Sequence, residues 1–175
     1  AAAHELINSA GCEAIAINFL HSYANTKHEK TAVNLLKENF PELAISAGGL
    51  LANEYREYER TSTTVLDSYI KPVLKNYLQH LKSGMQEKGF DGKYYVMNSA
   101  GGALTFEMAA AKPISTIFSG PAGGVSGALD LAKIMKKKKL LSIDVGGTSL
   151  DANLILDFEP VDVFEAYVDH FPVLQ

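Results

Sequence analysis

The sequence is poor in the residues that build disulfide frameworks, metal centres and membrane spans. Its 175 residues include no tryptophan and a single cysteine, Cys12, which excludes an internal disulfide and suits a reducing compartment. The five histidines show no spacing typical of a metal site. No apolar run is long enough to cross a bilayer, and the N-terminus lacks the charged-then-apolar pattern of a signal peptide. We therefore expect a cytoplasmic globular protein.

The charge balance argues against anionic partners. The chain has 20 acidic residues against 16 Lys and Arg, a net charge of −4 and a pI near 5.7. Nucleic acid and anionic membrane surfaces would not attract such a protein. With 47% hydrophobic residues, the chain can bury a core as one large domain or as parts of two. It begins without a methionine and stops inside an apolar segment, which predicts an excised piece of a longer protein.

The first half predicts a strand–helix–strand unit followed by a long helix. Residues 13–20 and 43–47 are apolar runs typical of buried strands. Between them, Thr26 and Glu29 form a capping-box pattern at the start of a helix. The later helix has a predicted buried stripe, and Pro72 should kink it or mark its first turns. The stripe consists of Leu66, Ile70, Val73, Tyr77 and Leu81.

The second half alternates short strands with Gly-rich turns and helices. Strands are predicted at residues 93–97, 114–118 and 161–168, and a helix should begin at Ser119 as its N-cap. Residues 140–156 predict a tight hairpin, because two buried apolar runs flank a Gly-rich turn. The whole pattern is typical of a compact α/β body.

The turn of this hairpin has the clearest chemical pattern. Asp144 ends the first strand and Asp151 begins the second. The residues of the turn are Gly146, Gly147, Thr148 and Ser149. The amides of Gly146, Gly147 and Thr148 can converge on a phosphate, and hydroxyl groups can add further donors. A divalent cation, expected to be Mg2+, would relieve the repulsion between that phosphate and the two acids. The alternative is an ordinary tight hairpin with a hydroxyl-rich tip.

Two further Gly-rich turns precede predicted helices. Residues 119–124 begin a predicted helix. Its free amides could bind a phosphate, or its glycine surface could contact the sugar and base of a nucleotide. Helix packing explains the glycines equally well. Residues 98–102 suit a backbone turn and a ligand contact equally, and Ser99 lacks the flanks of a nucleophile elbow. The candidate residues in these turns are Gly120, Ala122, Gly123, Gly124, Asn98, Ser99, Gly101 and Gly102.

A block dense in charge and hydroxyl groups, residues 56–64, precedes the long helix. Alternating charge is typical of a solvated surface or of a salt-bridged helix start. The alternative is a contact with substrate or with another domain, made by Arg56 and Arg60.

Five segments, taken in order, resemble the hydantoinase A and 5-oxoprolinase family, which includes subunits of acetone and acetophenone carboxylases. The segments are residues 19–25, 56–64, 98–102, 119–125 and 144–151. The resemblance covers nearly the whole chain, whereas a lone Gly-Gly-Thr turn would be a weak signal. It implies the ribonuclease-H-like fold of actin, sugar kinases and Hsp70 ATPases, in which two α/β lobes with mixed sheets and flanking helices clamp ATP.

The resemblance also implies how the chain is divided. Residues 1–118 would be the C-terminal part of the first ATPase lobe, and residues 119–175 the incomplete start of the second, packed as one unit. Asp144 and Asp151 would be catalytic and would bind the metal. A second Asp-x-Gly-Gly-Thr motif and a later Gly-rich segment of the family are missing here, and Leu150 replaces a small or polar residue. We therefore expect half a nucleotide cleft, inactive alone.

Members of the family typically use ATP to phosphorylate a cyclic amide, so that its ring can open. The resemblance thus implies an enzyme fragment that uses ATP and Mg2+ and acts, at full length, on a hydantoin or 5-oxoproline type of substrate. Its partners would be that substrate, the rest of its own chain and a hydantoinase B-like subunit, without nucleic acid or membrane. Alternatives are a subunit of an acetone- or acetophenone-type carboxylase, a sugar-kinase-like or chaperone-like ATPase, and a catalytically silent nucleotide-binding module.

Overall fold

A computed structural model describes residues 2–161 and 165–174, which form a mixed α/β structure. The helices are α1 (Ala2–Ala10), α2 (Lys27–Asn39), α3 (Gly48–Leu51), α4 (Glu57–Glu87), α5 (Phe106–Ala111) and α6 (Ser119–Ile134). The strands are β1 (Ala14–Ile17), β2 (Ala44–Ala47), β3 (Tyr95–Met97), β4 (Ala103–Thr105), β5 (Lys139–Val145), β6 (Leu150–Leu156), β7 (Glu159–Pro160), β8 (Glu165–Val168) and β9 (Phe171–Leu174).

These elements divide into two compact units. Unit 1 comprises the described residues of 2–92, 110–114 and 165–174, and unit 2 those of 93–109 and 115–161. The assignment of the chain to parts of two ATPase lobes, divided at residue 118, stays a prediction.

Unit 1 contains the predicted strand–helix–strand unit. Strands β1 and β2 pair in parallel, with Ala14 opposite Ala44, and α2 forms the crossover between them. Ile17, Val33 and Ala47 form the buried apolar core beneath α2. The predicted capping box is wrong: Thr26 makes no side-chain cap, and Asn25 Oδ1 instead accepts the Lys27 amide at 3.0 Å. The antiparallel pair β8–β9 completes the unit, and β9 lies against α4.

Helix α4 begins earlier in the sequence than predicted, and it buries a different side from the predicted one. It starts at Glu57, so the charged block forms its first turns, and Pro72 lies in its middle. The predicted buried stripe is wrong, because Val73, Tyr77 and Leu81 are exposed. The buried face instead consists of Arg60, Ser62, Thr63, Thr64, Asp67, Ser68 and Leu78. Arg60, Thr63, Thr64, Asp67 and Ser68 have hydrogen-bond partners there, whereas the buried Ser62 Oγ has none among the described residues.

Unit 2 begins with an unpredicted hairpin. Residues 98–102 do not run into a helix but join β3 to β4 in antiparallel pairing, and Gly101 and Gly102 take φ values of +86° and +78°. The predicted strand at residues 114–118 is also wrong, since Pro113–Thr116 is a 3-10 turn. Helix α6 begins at Ser119 without the predicted serine cap.

The sheet of unit 2 has the strand order β5–β6–β7 and contains the predicted tight hairpin. Asp144 pairs with Asp151, and Val145 pairs with Leu150. Ile155 is fully buried on the face that packs against α6. The opposite face is exposed in this chain, contrary to the expectation of two buried runs, because α6 covers one side only. Of the predicted last strand, residues 162–164 lie outside the described residues.

Candidate functional site

Two carboxylates meet near the tip of the β5–β6 hairpin. Asp144 and Asp151 stand directly opposite one another, so their side chains project from the same face of the sheet. Both residues are exposed. Like charges in such a cross-strand pair are destabilising, since their Cβ atoms lie about 5 Å apart. The pair therefore favours a cation between the two carboxylates.

An unsatisfied acceptor lies one pair further along the same face. Asn153, paired with Ser142, has a buried Oδ1 atom without a hydrogen-bond partner in the part of the chain that the structure describes. Buried acceptors without a partner are rare and call for a donor, a water or an ion. The face thus presents two carboxylates and an amide oxygen, the oxygen ligands that hard divalent cations prefer.

The turn between the strands presents backbone amides to solvent. The Gly146 amide donates to Ser149 O at 2.9 Å and closes the turn, so this amide is not available to an anion. Within the described range, the amides of Gly147, Thr148 and Ser149 have no backbone acceptor, and all three residues are exposed. Three adjacent amides without a backbone acceptor and two hydroxyl groups supply donors of the kind that bind a phosphate.

The glycines of this turn are not explained by the fold of the chain. A Cβ on Gly147 would meet no atom within 4 Å, and neither Gly146 nor Gly147 has a positive φ. The same holds for Gly120 and Gly124 in α6, where a Cβ would also lie in open space. Glycine in a helix costs about 1 kcal/mol relative to alanine. These positions therefore leave room for something outside the chain.

The turn at residues 98–102 has a structural explanation. The Ser99 hydroxyl accepts the amide of Phe118 at 3.0 Å, and the Ser99 amide donates to Ser115 O at 2.7 Å. Phe118 is the N-cap residue of α6, so this turn and the start of α6 are adjacent within unit 2. Gly123 also lies close to Met97, where a Cβ would be 3.6 Å from the methionine Cε. The structure thus brings together two of the three predicted Gly-rich turns, while a ligand contact by Asn98, Gly101 and Gly102 stays a prediction.

Arg60, a predicted substrate contact, is fully buried in unit 1. Its Nε donates to Asn18 Oδ1 and one Nη2 proton goes to Phe19 O, each at 3.2 Å. The guanidinium also bonds the Glu54 carbonyl and the Glu57 carboxylate and lies 5.5 Å from the centre of the Tyr23 ring. Arg56 is exposed at the N-cap of α4. A role of either arginine at the substrate stays a prediction.

Burial of two acids of unit 1, Glu29 and Asp67, was not predicted from the sequence pattern. The Glu29 carboxylate accepts the Phe19 amide at 2.9 Å and the Gly49 amide at 2.7 Å. Asp67 accepts from Ser46 Oγ at 2.6 Å, from the Ile114 amide at 3.0 Å and from Lys71 Nζ at 3.0 Å. The signal for the second acid was in the sequence, since Arg60, Thr64, Asp67 and Lys71 recur at helical spacing. They form a structural network, not an open site.

Unit 1 also contains a cleft. It has a volume of about 840 Å³, and Lys71, Lys75, Pro72 and Phe40 are among its lining residues. No predicted site residue is among the described residues that line it.

The described residues also contain no group of three or more His, Cys, Asp or Glu side chains placed to hold a metal ion. A metal held by the carboxylates of Asp144 and Asp151 would therefore need further ligands, such as Asn153 Oδ1, water or a bound phosphate. Of the helices in the described part of the chain, none has the length and apolarity needed to cross a membrane.

Comparison with known proteins identifies relatives along most of the chain. The sequence profile of the hydantoinase/oxoprolinase family matches residues 60–174. An uncharacterized protein of Methanocaldococcus jannaschii is 39% identical over 157 residues, which are 90% of this chain and 23% of the relative. The caprolactamase alpha subunit of Pseudomonas jessenii is 30% identical over 142 residues, 81% of this chain and 20% of the subunit.

A solved structure shares the fold. A nucleotide-free structure of acetone carboxylase, from work on ATP-dependent acetone carboxylation, superposes with a TM-score of 0.72 at 31% identity. The match covers 90% of this chain and 22% of that one. The predicted α/β class, a ribonuclease-H-like lobe with flanking helices, is confirmed by this match. The chain spans about a fifth of the length of these relatives.

Proposed function

This chain belongs to the hydantoinase/oxoprolinase family, and from that premise we propose that it is part of an ATP-dependent enzyme that opens cyclic amides. The observation that carries the proposal is the pairing of Asp144 with Asp151 beneath a turn with three free amides. In the proposed role, the turn binds phosphate and the two acids bind Mg2+.

The residues present fit a magnesium ion that is shared with a nucleotide. Mg2+ keeps several waters and is usually held by one or two carboxylates together with substrate phosphates. Asp144 and Asp151 supply two exposed carboxylates near the tip of the hairpin, with the orphaned Asn153 Oδ1 further along the same face. The ion would neutralise charge on a transferring phosphoryl group.

The amides and side chains of this chain would mainly orient the phosphate groups and neutralise their charge. The amides of Gly147, Thr148 and Ser149 would orient phosphate oxygens, and the absence of side chains at residues 146 and 147 would allow close approach. Gly120, Ala122, Gly123 and Gly124 would offer a bare helix surface to the rest of the nucleotide. Transfer of the terminal phosphoryl group of ATP to the amide oxygen would release ADP and activate the ring carbon for attack by water. The C–N bond would then break as the nitrogen takes up a proton, and a second water would hydrolyse the remaining acyl phosphate to release phosphate.

The test uses the longer polypeptide that carries this sequence. ATP consumption would be measured with hydantoin, 5-oxoproline or caprolactam as substrate, for the wild type and for Asp144→Asn. We expect the variant to lose at least ~100-fold in turnover, since charge stabilisation by a bound metal is worth several kcal/mol. The matched control is Asp157→Asn, an exposed acid in the turn between β6 and β7 that is paired with Lys138 at 3.5 Å and should keep full turnover. Equal loss in both variants, or no loss in Asp144→Asn, would contradict the proposal.

A second candidate is a subunit of an ATP-dependent carboxylase. The observation that favours it is the superposition on acetone carboxylase at a TM-score of 0.72. The same phosphate and metal groups would then serve ATP-driven activation of bicarbonate or a ketone. ATP consumption that depends on acetone plus bicarbonate, without any response to cyclic amides, would select this candidate.

A further inference from the structure

The start of helix α6 is capped by a residue from another element. Its N-cap residue is Phe118, which makes no side-chain cap, and Pro121 in the first turn has no amide hydrogen to donate. The amides at a helix start have no acceptor within the helix and need one from outside it. The Phe118 amide donates to the hydroxyl oxygen of Ser99 at 3.0 Å, and the two residues are 19 positions apart. Ser99 therefore supplies a cap that the sequence around α6 lacks.

Ser99 is itself held in a closed turn. Its amide donates to Ser115 O at 2.7 Å. Within the turn, the Asn98 amide donates to Gly102 O at 2.9 Å and the Gly101 amide donates to Asn98 O at 3.0 Å. The two glycines supply the left-handed backbone that this turn needs. The backbone that carries the Ser99 hydroxyl is thus fixed on both sides.

Further contacts join the turn at residues 98–102 to helix α6. Strand β3, which leads into the turn, packs against α6. A Cβ on Gly123 would be 3.6 Å from Met97 Cε, and one on Gly101 would be 3.9 Å from Ser126 Oγ. All of these residues belong to unit 2. The turn and the start of α6 therefore form one packed body, with the Ser99 hydrogen bond as a polar link between them.

We propose that Ser99 is a positioning residue for nucleotide binding, because it holds the first turns of α6 in the orientation that the nucleotide requires. The inference rests on the proposed function, in which residues 120–124 contact the nucleotide. Ser99 acts through Phe118 and not by touching the ligand, since its hydroxyl oxygen already accepts the Phe118 amide. A binding surface that is held in place loses less freedom when the ligand binds, and its affinity is higher for that reason.

A matched control exists in the same unit. Thr105 Oγ1 accepts the Met108 amide at 3.2 Å and caps the start of α5, which carries no predicted site residue. Ser99→Ala and Thr105→Ala each remove one hydroxyl group that accepts an amide at a helix start. Each variant should therefore loosen a different helix start to a similar extent.

Hydrogen exchange in the longer polypeptide, without nucleotide, tests the cap. Amide exchange at residues 118–120 should be faster in Ser99→Ala, on the order of 5-fold, whereas Thr105→Ala should show the same effect at residues 106–108. Unchanged exchange at residues 118–120 in Ser99→Ala would overturn the proposal, because the hydroxyl group would then not hold the start of α6.

Calorimetric titration of Mg-ATP into the same proteins separates positioning from folding. Ser99→Ala should raise the Kd for Mg-ATP at least ~5-fold. Ser99→Thr retains the hydroxyl oxygen and should bind as the wild type does, and so should Thr105→Ala. An unchanged Kd in Ser99→Ala would overturn the proposal. Equal weakening by Thr105→Ala would also overturn it, since a general loss of stability would then explain the effect.

Asp144→Ala, titrated alongside, distinguishes failure of this inference from failure of the proposed function. A loss of affinity in Asp144→Ala beside an unchanged Ser99→Ala contradicts only the role of Ser99. A wild type that does not bind Mg-ATP contradicts the proposed function and, with it, the role of Ser99.

Discussion

At the scale of single residues, two adjacent glycines make the buried polar network of unit 1 possible. A Cβ on Gly48 would overlap Asn18 Oδ1, the atom that accepts the Arg60 Nε proton. A Cβ on Gly49 would lie 2.8 Å from Ser22 O and 3.0 Å from the Glu29 carboxylate. Neither glycine has a positive φ, so close approach is the reason for both.

Gly48→Ala is therefore expected to destabilise the chain. The added methyl group must displace Asn18 and disturb the Arg60 hydrogen bonds, and overpacking of this kind costs about 1–3 kcal/mol. The control is Gly84→Ala in α4, where a Cβ meets nothing within 4 Å and should stabilise the chain by about 0.5–1 kcal/mol. Urea unfolding of both variants measures the difference. Equal unfolding free energies would show that the cleft at Gly48 is not as tight as the structure indicates.

At the scale of elements, helix α4 shows what a sequence pattern settles and what it leaves open. The helical period of residues 66–81 was clear enough to predict a long helix, and that prediction is confirmed. The helical period alone does not say which side of α4 is buried. The sequence favoured the side rich in apolar residues, whereas the buried side is mainly polar. Tertiary partners decided otherwise: Ser46, Ile114 and Lys71 all bond Asp67. Ser46 and Ile114 lie far from Asp67 in sequence, so their contacts with it could not be predicted from the pattern of the helix.

Asp67→Ala tests whether this polar face holds α4 in place. Asp67 is fully buried, and its removal would leave the Ser46 hydroxyl and the Ile114 amide without their acceptor and Lys71 without its counter-ion. Loss of one partner from a buried ion pair costs about 3–5 kcal/mol. Thermal unfolding should show the loss, while Lys75→Ala on the exposed side should change little. A stability near that of the wild type would contradict a buried network.

The β5–β6 hairpin was predictable for a different reason. Glycine, hydroxyl and acidic residues between two apolar runs leave few alternatives to a tight turn, and the observed register places Asp144 opposite Asp151. The availability of individual amides was not predictable, since the hydrogen bond from Gly146 to Ser149 O depends on the turn geometry. The conformation of the Gly-rich turn at residues 98–102 was equally unpredictable from the sequence. The sequence suggests that this turn leads into a helix, but the positive φ values of its two glycines instead form a hairpin.

At the scale of the whole molecule, the chain holds two compact units and spans about a fifth of its relatives. Unit 2 carries the hairpin, the start of α6 and the turn at residues 98–102. Unit 1 carries the buried Arg60 network. The proposed chemistry and this structural network thus belong to different units, so a variant in one should leave the other intact.

The most direct measurement of the central claim is calorimetric titration of Mg-ATP into the longer polypeptide, with wild type and Asp144→Ala compared. The account predicts that the variant binds at least ~10-fold more weakly, since a carboxylate that shares the metal is worth about 1.4 kcal/mol or more. The loss should disappear when both proteins are titrated with ATP in the absence of Mg2+. An unchanged affinity of Asp144→Ala for Mg-ATP would contradict the assignment of the hairpin as the metal–phosphate site.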